Sequence, residues 1–199
     1  MIILVATTNP GKIREITRIL DVPGLSILTP RDINIVLDVE ENGQSFAENA
    51  LIKARAWCKA SGYPCLADDS GLSVDVLKGR PGVRSARFAG ENATDEENYT
   101  LLLDSLKGVK DRSARFICVV ALAFPDGEVV LAQGEYVGQI LDKPAGDSGF
   151  GYDPVFLDPA SGRSFAQLSP EEKNDRSHRK KALVELKSRL KESGRIRFF

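Results

Sequence analysis

Two adjacent carboxylates, Asp68 and Asp69, follow the apolar residues 65–67 and precede a Ser-Gly pair. Apolar and polar residues alternate from 72 to 76, so we expect the pair to lie where a β-strand leaves the core and turns. Neighbouring like charges repel, and burial of either without a partner is costly. A divalent cation would offset both the repulsion and the cost of burial, and it prefers hard oxygen ligands such as carboxylates. The pair therefore indicates a metal site, with a solvated acidic turn as the plain alternative.

The turn formed by residues 7–12 combines groups that bind phosphate. It lies between an apolar run over residues 2–6, typical of a covered β-strand, and a helical pattern over residues 11–20. Free N–H groups at a helix N-terminus, hydroxyls, an amide and a lysine would converge there. The glycine spacing is not that of a Walker A loop, and a simple N-cap with the lysine in solvent is the alternative. The residues concerned are Thr7, Thr8, Asn9, Pro10, Gly11 and Lys12.

An acidic loop with Glu40 and Glu41 precedes a helix predicted for residues 46–60. Either glutamate could reach Asp69 and complete a magnesium site, because magnesium takes one or two carboxylates and fills its other positions with water and substrate phosphate. Lys53, on the predicted helix, could point towards the same place. Acidic loops are usually solvated, so this loop alone is weak support for a metal site.

Two further segments could recognise a nucleotide base. Phe150 lies in the glycine-rich residues 149–154 and offers a flat stacking face, although an aromatic plug that closes the core is the alternative. Lys173, His178 and Arg179 follow in a polar segment, and His178 is the only histidine of the chain. Their N–H donors suit a carbonyl oxygen on a base and the oxygens of phosphate.

The elements that would position these groups are of two kinds. The start of the chain reads as strand, turn and helix, and capping boxes at Ser45 with Glu48 and at Thr94 with Glu97 begin two further helices. Residues 114–124 and 128–137 are rich in β-forming residues and joined by Pro-Asp-Gly, which predicts a hairpin. Together they indicate an α/β fold with a mixed β-sheet flanked by helices, in which ligands bind in a cleft beside strand ends. No repeat or linker interrupts the sequence, so we expect one domain over residues 1–199.

Composition restricts the class of protein. The 199 residues carry a net charge of -1, which implies no overall attraction to nucleic acid or to a membrane, although residues 171–197 form a basic segment. Three widely spread cysteines favour a reduced compartment. The apolar N-terminal run is too short for a signal peptide, and the longest apolar run, residues 116–124, is too short to span a bilayer. We therefore expect a soluble cytoplasmic protein.

Six motifs, in order, resemble those of the inosine/xanthosine triphosphate pyrophosphatase family. The resemblance covers nearly the whole chain. One departure is Thr8, where that family often has glycine, and this weakens any inference about a backbone contact at that position. The motifs are Thr-Asn-Pro-Gly-Lys at 8–12, Ser-Phe-Ala-Glu-Asn-Ala at 45–50 with Lys53, Ala-Asp-Asp-Ser-Gly-Leu at 67–72, residues 81–83 with 85–88, Gly-Phe-Gly-Tyr-Asp-Pro at 149–154, and Ser-His-Arg at 177–179.

The resemblance implies an elongated α/β homodimer with two lobes and a central active-site cleft. It implies a magnesium-dependent hydrolase that splits inosine, deoxyinosine and xanthosine triphosphates into a monophosphate and pyrophosphate, which cleanses the nucleotide pool. Asp69 is then the expected general base and metal ligand, and Glu40 the second metal ligand. Residues 7–12, Ser70 and Lys173 would hold the phosphates and sugar. The base would be framed by Phe150, Gly151, Tyr152, Asp153, His178 and Arg179.

The residues agree with this chemistry, but other functions stay open. Phosphoryl displacement needs positioning and neutralisation of negative charge, which magnesium with Lys12, Lys53 and Lys173 could supply. A Maf-like pyrophosphatase acting on modified pyrimidine nucleotides would use similar groups. A non-catalytic nucleotide-binding regulator would need the phosphate turn and aromatic loop but not the paired carboxylates. Binding of nucleic acid by the basic segment is a weaker alternative.

Overall fold

The computed structural model describes residues 1–195, and these form seven β-strands in one sheet and five α-helices. The predicted domain over 1–199 and the basic segment 171–197 both extend beyond the described residues. The strands are β1 Ile2–Val5, β2 Ser26–Leu28, β3 Cys65–Val74, β4 Ser113–Ala123, β5 Val129–Ile140, β6 Phe156–Asp158 and β7 Arg163–Ser164. The helices are α1 Pro10–Ile19, α2 Phe46–Ser61, α3 Asp95–Ser105, α4 Pro170–Arg176 and α5 His178–Glu192.

The sheet is mixed, as the sequence predicts. Its strand order is β2-β1-β3-β4-β5-β6-β7. Strand β1 pairs in parallel with β2 and with β3, whereas β6 pairs antiparallel with β5 and with β7. The parallel pairs come from the βα elements at the start of the chain, and the antiparallel pairs come from its later part. The prediction of an α/β fold with a mixed sheet and flanking helices is therefore confirmed.

Local signals in the sequence place most element boundaries correctly. The predicted hairpin is β4 followed by β5, and at its end the amide of Phe124 donates to the carbonyl of Glu128 over 2.9 Å. Both halves of the capping box at Thr94 and Glu97 are present at the start of α3. Helix α2 has only one half, because the carboxylate of Glu48 accepts from the amide of Gln44 instead of that of the N-cap residue.

One expectation about the two adjacent carboxylates is wrong. The strand does not end at Asp68 and Asp69, because β3 continues without a turn from Cys65 to Val74. Successive side chains of a strand point to opposite faces of the sheet, so the two carboxylates lie on different faces. Each can then find its own partners, and their mutual repulsion does not require one shared cation.

The chain divides into two compact units. Unit 1 contains Met1–Asp69, Cys118–Gly134 and His178–Phe199, of which residues up to 195 are described. Within it, Leu66 on β3 packs in a core with residues of α1 and α5, and Cys65 and Ala67 pack in another core with residues of α2. Side chains alternate between the two faces of the sheet along β3, and these cores agree with that. Helices α1 and α5 therefore cover one face of the sheet, and α2 covers the other.

Unit 2 contains Ser70–Ile117 and Glu135–Ser177. Its core includes three aromatic rings, with the centroid of Phe116 4.4 Å from that of Phe156 and 5.8 Å from that of Phe165. The single domain over residues 1–199 and the arrangement of two lobes around a cleft stay predictions. Over residues 1–195, no helix is both long enough and apolar enough to cross a bilayer.

Strand β5 and helix α5 approach each other closely in unit 1 at Gly134. A Cβ atom there would stand 2.3 Å from the backbone nitrogen of Ala182 and 2.3 Å from the carbonyl oxygen of His178. Backbone atoms cannot rotate away as a side chain can, so any side chain at this position would have to displace the helix. Glycine at 134 therefore sets the position of the first two turns of α5.

We predict that Gly134→Ala lowers the free energy of unfolding by about 2 kcal/mol, as expected for an overpacked core. Urea denaturation followed by circular dichroism measures this. Gln133→Ala, at an exposed position of the same strand, is the control and should change stability little. Equal stability of the two variants would contradict the close contact between β5 and α5.

Candidate active site

Asp69 lies on the face of β3 that α2 covers, and two side chains of α2 surround it. The side-chain nitrogen of Asn49 donates to Asp69 Oδ2 over 3.1 Å. Lys53 Nζ lies 3.9 Å from Asp69 Oδ1 and donates to Glu41 Oε2 over 3.0 Å. Because residues four apart lie on one side of a helix, Asn49 and Lys53 reach the same carboxylate.

The burial of Asp69 changes its acidity. It is only 7% exposed. Burial raises the pKa of the Asp69 carboxyl, and the charge of Lys53 and the hydrogen bond from Asn49 offset this only in part. A carboxylate with a raised pKa binds a proton more readily than an ordinary aspartate. Asp69 can therefore act as a proton acceptor.

The orientation of Asn49 is fixed by the loop before α2. Its side-chain oxygen accepts from the amide of Gly43 over 2.8 Å, which turns the nitrogen towards Asp69. A Cβ atom at Gly43 would stand 2.6 Å from that oxygen, so only glycine allows this approach. The sequence prediction missed Asn49. The signal was available, because it is a polar residue within the otherwise apolar buried stripe of α2.

The structure distinguishes the two glutamates of the acidic loop. Glu41 is half-buried and its carboxylate accepts from Lys53, whereas Glu40 is exposed. The glutamate drawn towards Asp69 by a shared lysine is thus Glu41. The assignment of Glu40 as a metal ligand stays a prediction.

Asp68 lies on the opposite face of β3, among cationic groups. It is 2% exposed, Lys12 Nζ lies 3.0 Å from its Oδ2, and the guanidinium of Arg179 donates to the same oxygen over 3.1 and 3.3 Å. Arg179 is also buried and donates to the carboxylate of Glu15. Burial alone would raise the pKa of Asp68, but the charges of Lys12, Arg179 and Lys53 outweigh it and hold the pKa well below its usual range.

The turn at residues 7–12 is a capped helix start. Asn9 is the N-cap of α1, and its side-chain oxygen accepts from the amides of Gly11 over 2.8 Å and Lys12 over 3.1 Å. The hydroxyl of Thr7 accepts from the amide of Asn9 over 3.2 Å, and Thr8 and Pro10 are exposed. The N-cap reading is thus correct for the backbone, but the lysine is paired with Asp68 and does not lie free in solvent. Phosphate binding at this turn stays a prediction.

In unit 2, the predicted base-binding loop is tightly held. Asp153 is buried, and its Oδ2 accepts from the amide of Phe150 over 2.9 Å and from Lys173 Nζ over 2.6 Å. The same ammonium lies 4.4 Å from the centroid of the Phe150 ring. At Gly149, whose φ is 85°, a Cβ atom would stand 2.1 Å from Asp153 Oδ2. Three predicted site residues, Phe150, Asp153 and Lys173, therefore form one cluster.

The other predicted site residues differ from one another in their burial and contacts. Tyr152 is a buried plug, as the alternative reading of this loop expects, and its hydroxyl donates to the carbonyl of Ser85 over 2.8 Å. Burial raises the pKa of its phenol, so it stays protonated. Gly151 has a φ of 63°, and Ser70 is half-buried within β3. His178 is the buried first residue of α5, as the predicted helix start requires.

We predict that Asp68→Asn destabilises the protein and that Asp69→Asn does not. Removing the charge of Asp68 leaves Arg179 and Lys12 under-compensated in the interior and should cost about 3 kcal/mol or more. Asp69→Asn removes a charge that the protein stabilises poorly, so the melting temperature should stay equal or rise slightly. Differential scanning calorimetry of both variants measures this. A larger loss for Asp69→Asn would contradict the difference between the two faces.

Known proteins are similar to this chain in sequence and in fold. A model of the Ham1 family matches residues 3–189. The dITP/XTP pyrophosphatase of Geobacter sulfurreducens is 48% identical over 190 residues, which cover 94% of this chain and 96% of that protein. The solved structure of the Ham1 protein of Staphylococcus aureus has a TM-score of 0.87 and 41% identity, over 97% of this chain and 100% of that chain. The crystal structure of a nucleoside-triphosphatase / dITP/XTP pyrophosphatase from Mycobacterium abscessus has a TM-score of 0.76 and 45% identity, over 94% and 98%. The chain therefore belongs to the Ham1 family.

Proposed function

We propose that this protein hydrolyses the non-standard purine nucleotides ITP, dITP and XTP to the nucleoside monophosphate and pyrophosphate, and so cleanses the nucleotide pool. Curated relatives with 43–48% identity bear the name dITP/XTP pyrophosphatase, which supports this reaction. The observation that carries the proposal is the buried Asp69 with Lys53 and Asn49 around it.

Asp69 is the proposed general base. A buried carboxylate whose pKa burial has raised can accept a proton from water, while an adjacent lysine favours its ionised form. The amide nitrogen of Asn49 holds one carboxylate oxygen, and the other oxygen faces Lys53. In this role Asp69 orients and deprotonates the water that attacks the α-phosphorus, and pyrophosphate leaves.

Two lysines of unit 1 are the proposed charge-neutralising groups. Both Lys53 and Lys12 lower the pKa of Asp69, so both positive charges act at that carboxylate. Hydrolysis of a phosphoanhydride depends mainly on positioning and on neutralising the charge that spreads over the phosphate oxygens. We propose that residues 7–12, Ser70 and Lys173 bind phosphate and sugar in the same reaction.

A magnesium ion fits the carboxylates beside Lys53. No group of three or more His, Cys, Asp and Glu side chains that could hold a metal occurs among residues 1–195. Magnesium does not require one, because it binds through one or two carboxylates with water and substrate phosphate. We propose Asp69 and Glu41 as its protein ligands, with Glu41 in place of the Glu40 that the resemblance implies, since Lys53, itself a cation, contacts both carboxylates. Bound magnesium would neutralise charge on the triphosphate.

The proposed base-recognition groups are residues 150–153, together with His178 and Arg179. A ring such as Phe150 stacks on any base and gives affinity without selectivity. Selectivity needs hydrogen-bond donors. A donor aimed at position 6 donates to a keto oxygen but meets another donor at the amino group of adenine, and such a difference can discriminate by a factor on the order of 10⁴. We also propose that the enzyme acts in the cytoplasm as a homodimer on free nucleotides.

We predict that the purified protein with magnesium releases pyrophosphate from ITP, dITP and XTP much faster than from ATP or GTP. A coupled pyrophosphate-release assay across a nucleotide panel measures this. The panel includes UTP and TTP, since their preferred hydrolysis would support a Maf-like enzyme instead. Release of orthophosphate as the main product would contradict the proposal, and so would tight binding of ITP without turnover.

Asp69→Asn should reduce the rate of pyrophosphate release at least about 100-fold, because general base catalysis contributes factors of this size or more. The melting temperature is measured on the same sample, so that loss of activity is separated from loss of fold. Substantial activity in a folded Asp69→Asn variant would show that another group accepts the proton.

We predict that Glu41→Gln raises the magnesium concentration needed for half-maximal activity at least about tenfold, as expected for loss of one of two carboxylate ligands. Glu40→Gln, which makes the same change at the neighbouring exposed position, is the matched control and should leave that concentration unchanged. The reverse result, with only Glu40→Gln impaired, would assign the metal ligand to Glu40.

A further inference from the structure

The aromatic residue Phe150 lies directly between two glycines of its loop. Gly149 and Gly151 have φ angles of 85° and 63°, in the left-handed region that favours glycine. Glycine also has the largest conformational freedom of any residue, so these two residues by themselves do not keep the ring at one angle. The orientation of Phe150 therefore depends on the ammonium of Lys173, 4.4 Å from the ring centroid, and on contacts that fix the backbone on both sides of the ring.

The amide of Phe150 itself is fixed from inside unit 2. It donates to Asp153 Oδ2 over 2.9 Å, and the same oxygen accepts from Lys173 Nζ over 2.6 Å. Removal of Asp153 would leave the buried charge of Lys173 uncompensated. A substitution at Asp153 would thus disturb stability and ring orientation together, and could not separate them.

The amide of Gly151, on the other side of the ring, is fixed from α3. It donates to Asp95 Oδ2 over 2.6 Å, across 56 residues of sequence. Hydrogen bonds from an N–H group to a carboxylate are shorter and stronger than those between neutral groups. Asp95 is exposed, so its removal leaves no buried charge behind. Of the two carboxylates that hold this loop, Asp95 is therefore the one whose replacement can change the ring orientation without leaving a buried charge uncompensated.

Helix α3 is itself a fixed support for Asp95. Its capping box joins Thr94 and Glu97 on either side of this residue. One turn further on, the side chain of Asn98 accepts from the amide of Ala89 over 2.8 Å and donates to the carbonyl of Ala86 over 3.1 Å. The first turn of α3 is therefore anchored, and Asp95 presents its carboxylate from a constant position.

We infer that Asp95 is a positioning residue for base recognition: it holds the peptide between Phe150 and Gly151, and thereby the angle at which the ring meets the base. This inference rests on the proposed function, because it concerns the ring assigned there to the base. A ring free to swing would stack on any base in several poses. The hydrogen-bond donors aimed at position 6 would then be aligned with the base less often. Both the affinity for the substrate and the selectivity between bases would fall.

The test compares Asp95→Ala with Glu96→Ala, which removes the same charge from the same exposed helix turn. Asp95→Ala should raise KM for ITP about tenfold, the lower end expected for a charge-assisted hydrogen bond, and change kcat much less. The preference for ITP over ATP in kcat/KM should fall with it, because only ATP lacks the keto oxygen at position 6. Asp95→Asn keeps an acceptor oxygen and should restore most of both, and Glu96→Ala should match the wild type.

A second readout does not depend on turnover. Amide hydrogen exchange of the peptide covering residues 148–153, followed by mass spectrometry, should be faster in Asp95→Ala than in the wild type or in Glu96→Ala. Equal exchange in all three proteins overturns the inference, and so does a lowered melting temperature with unchanged selectivity. If the wild type releases no pyrophosphate from ITP, the proposed function fails, and the exchange comparison alone decides whether Asp95 fixes the loop.

Discussion

The site depends on the two-residue period of a β-strand at Asp68 and Asp69. Because β3 runs without a break through both residues, their carboxylates must lie on opposite faces of the sheet. One face supplies Lys12 and Arg179, and the other supplies Asn49 and Lys53. Two neighbouring residues of one type thus acquire opposite properties, a lowered pKa for Asp68 and a raised pKa for Asp69.

The positions of the Asp68 and Asp69 carboxylates are also coupled through the backbone of β3. In a strand, fixing one residue fixes the direction in which the next side chain leaves the backbone. Asp68 is held by ion pairs to Lys12 on α1 and to Arg179 on α5, and Arg179 is held in turn by Glu15 on α1. The contacts on one face therefore determine where the carboxylate on the other face stands, although they never touch it.

The sequence predicts the features whose signals are local. The helix start within residues 7–12, the capping box at Thr94 and Glu97 and the Pro-Asp-Gly hairpin each depend on a few consecutive residues, and the structure contains all three. What it could not predict depends on residues far apart. Arg179 and Glu15 are separated by 164 residues, so no local pattern shows that they pair. The same holds for Glu40 and Glu41, since an irregular loop has no periodicity that would say which one faces Lys53.

The two carboxylates differ because their cations are arranged differently. At Asp68, Lys12 and Arg179 both lie within 3.1 Å of one oxygen, and their attraction exceeds the cost of burial. At Asp69, Lys53 stands 3.9 Å away and donates to Glu41 at 3.0 Å, so its attraction is divided and burial prevails. A fully compensated carboxylate has a low affinity for a proton. The charge of Asp69 is only partly compensated, and this lowers the stability of the fold. The same partial compensation raises the affinity of Asp69 for a proton, so that it can take one from water.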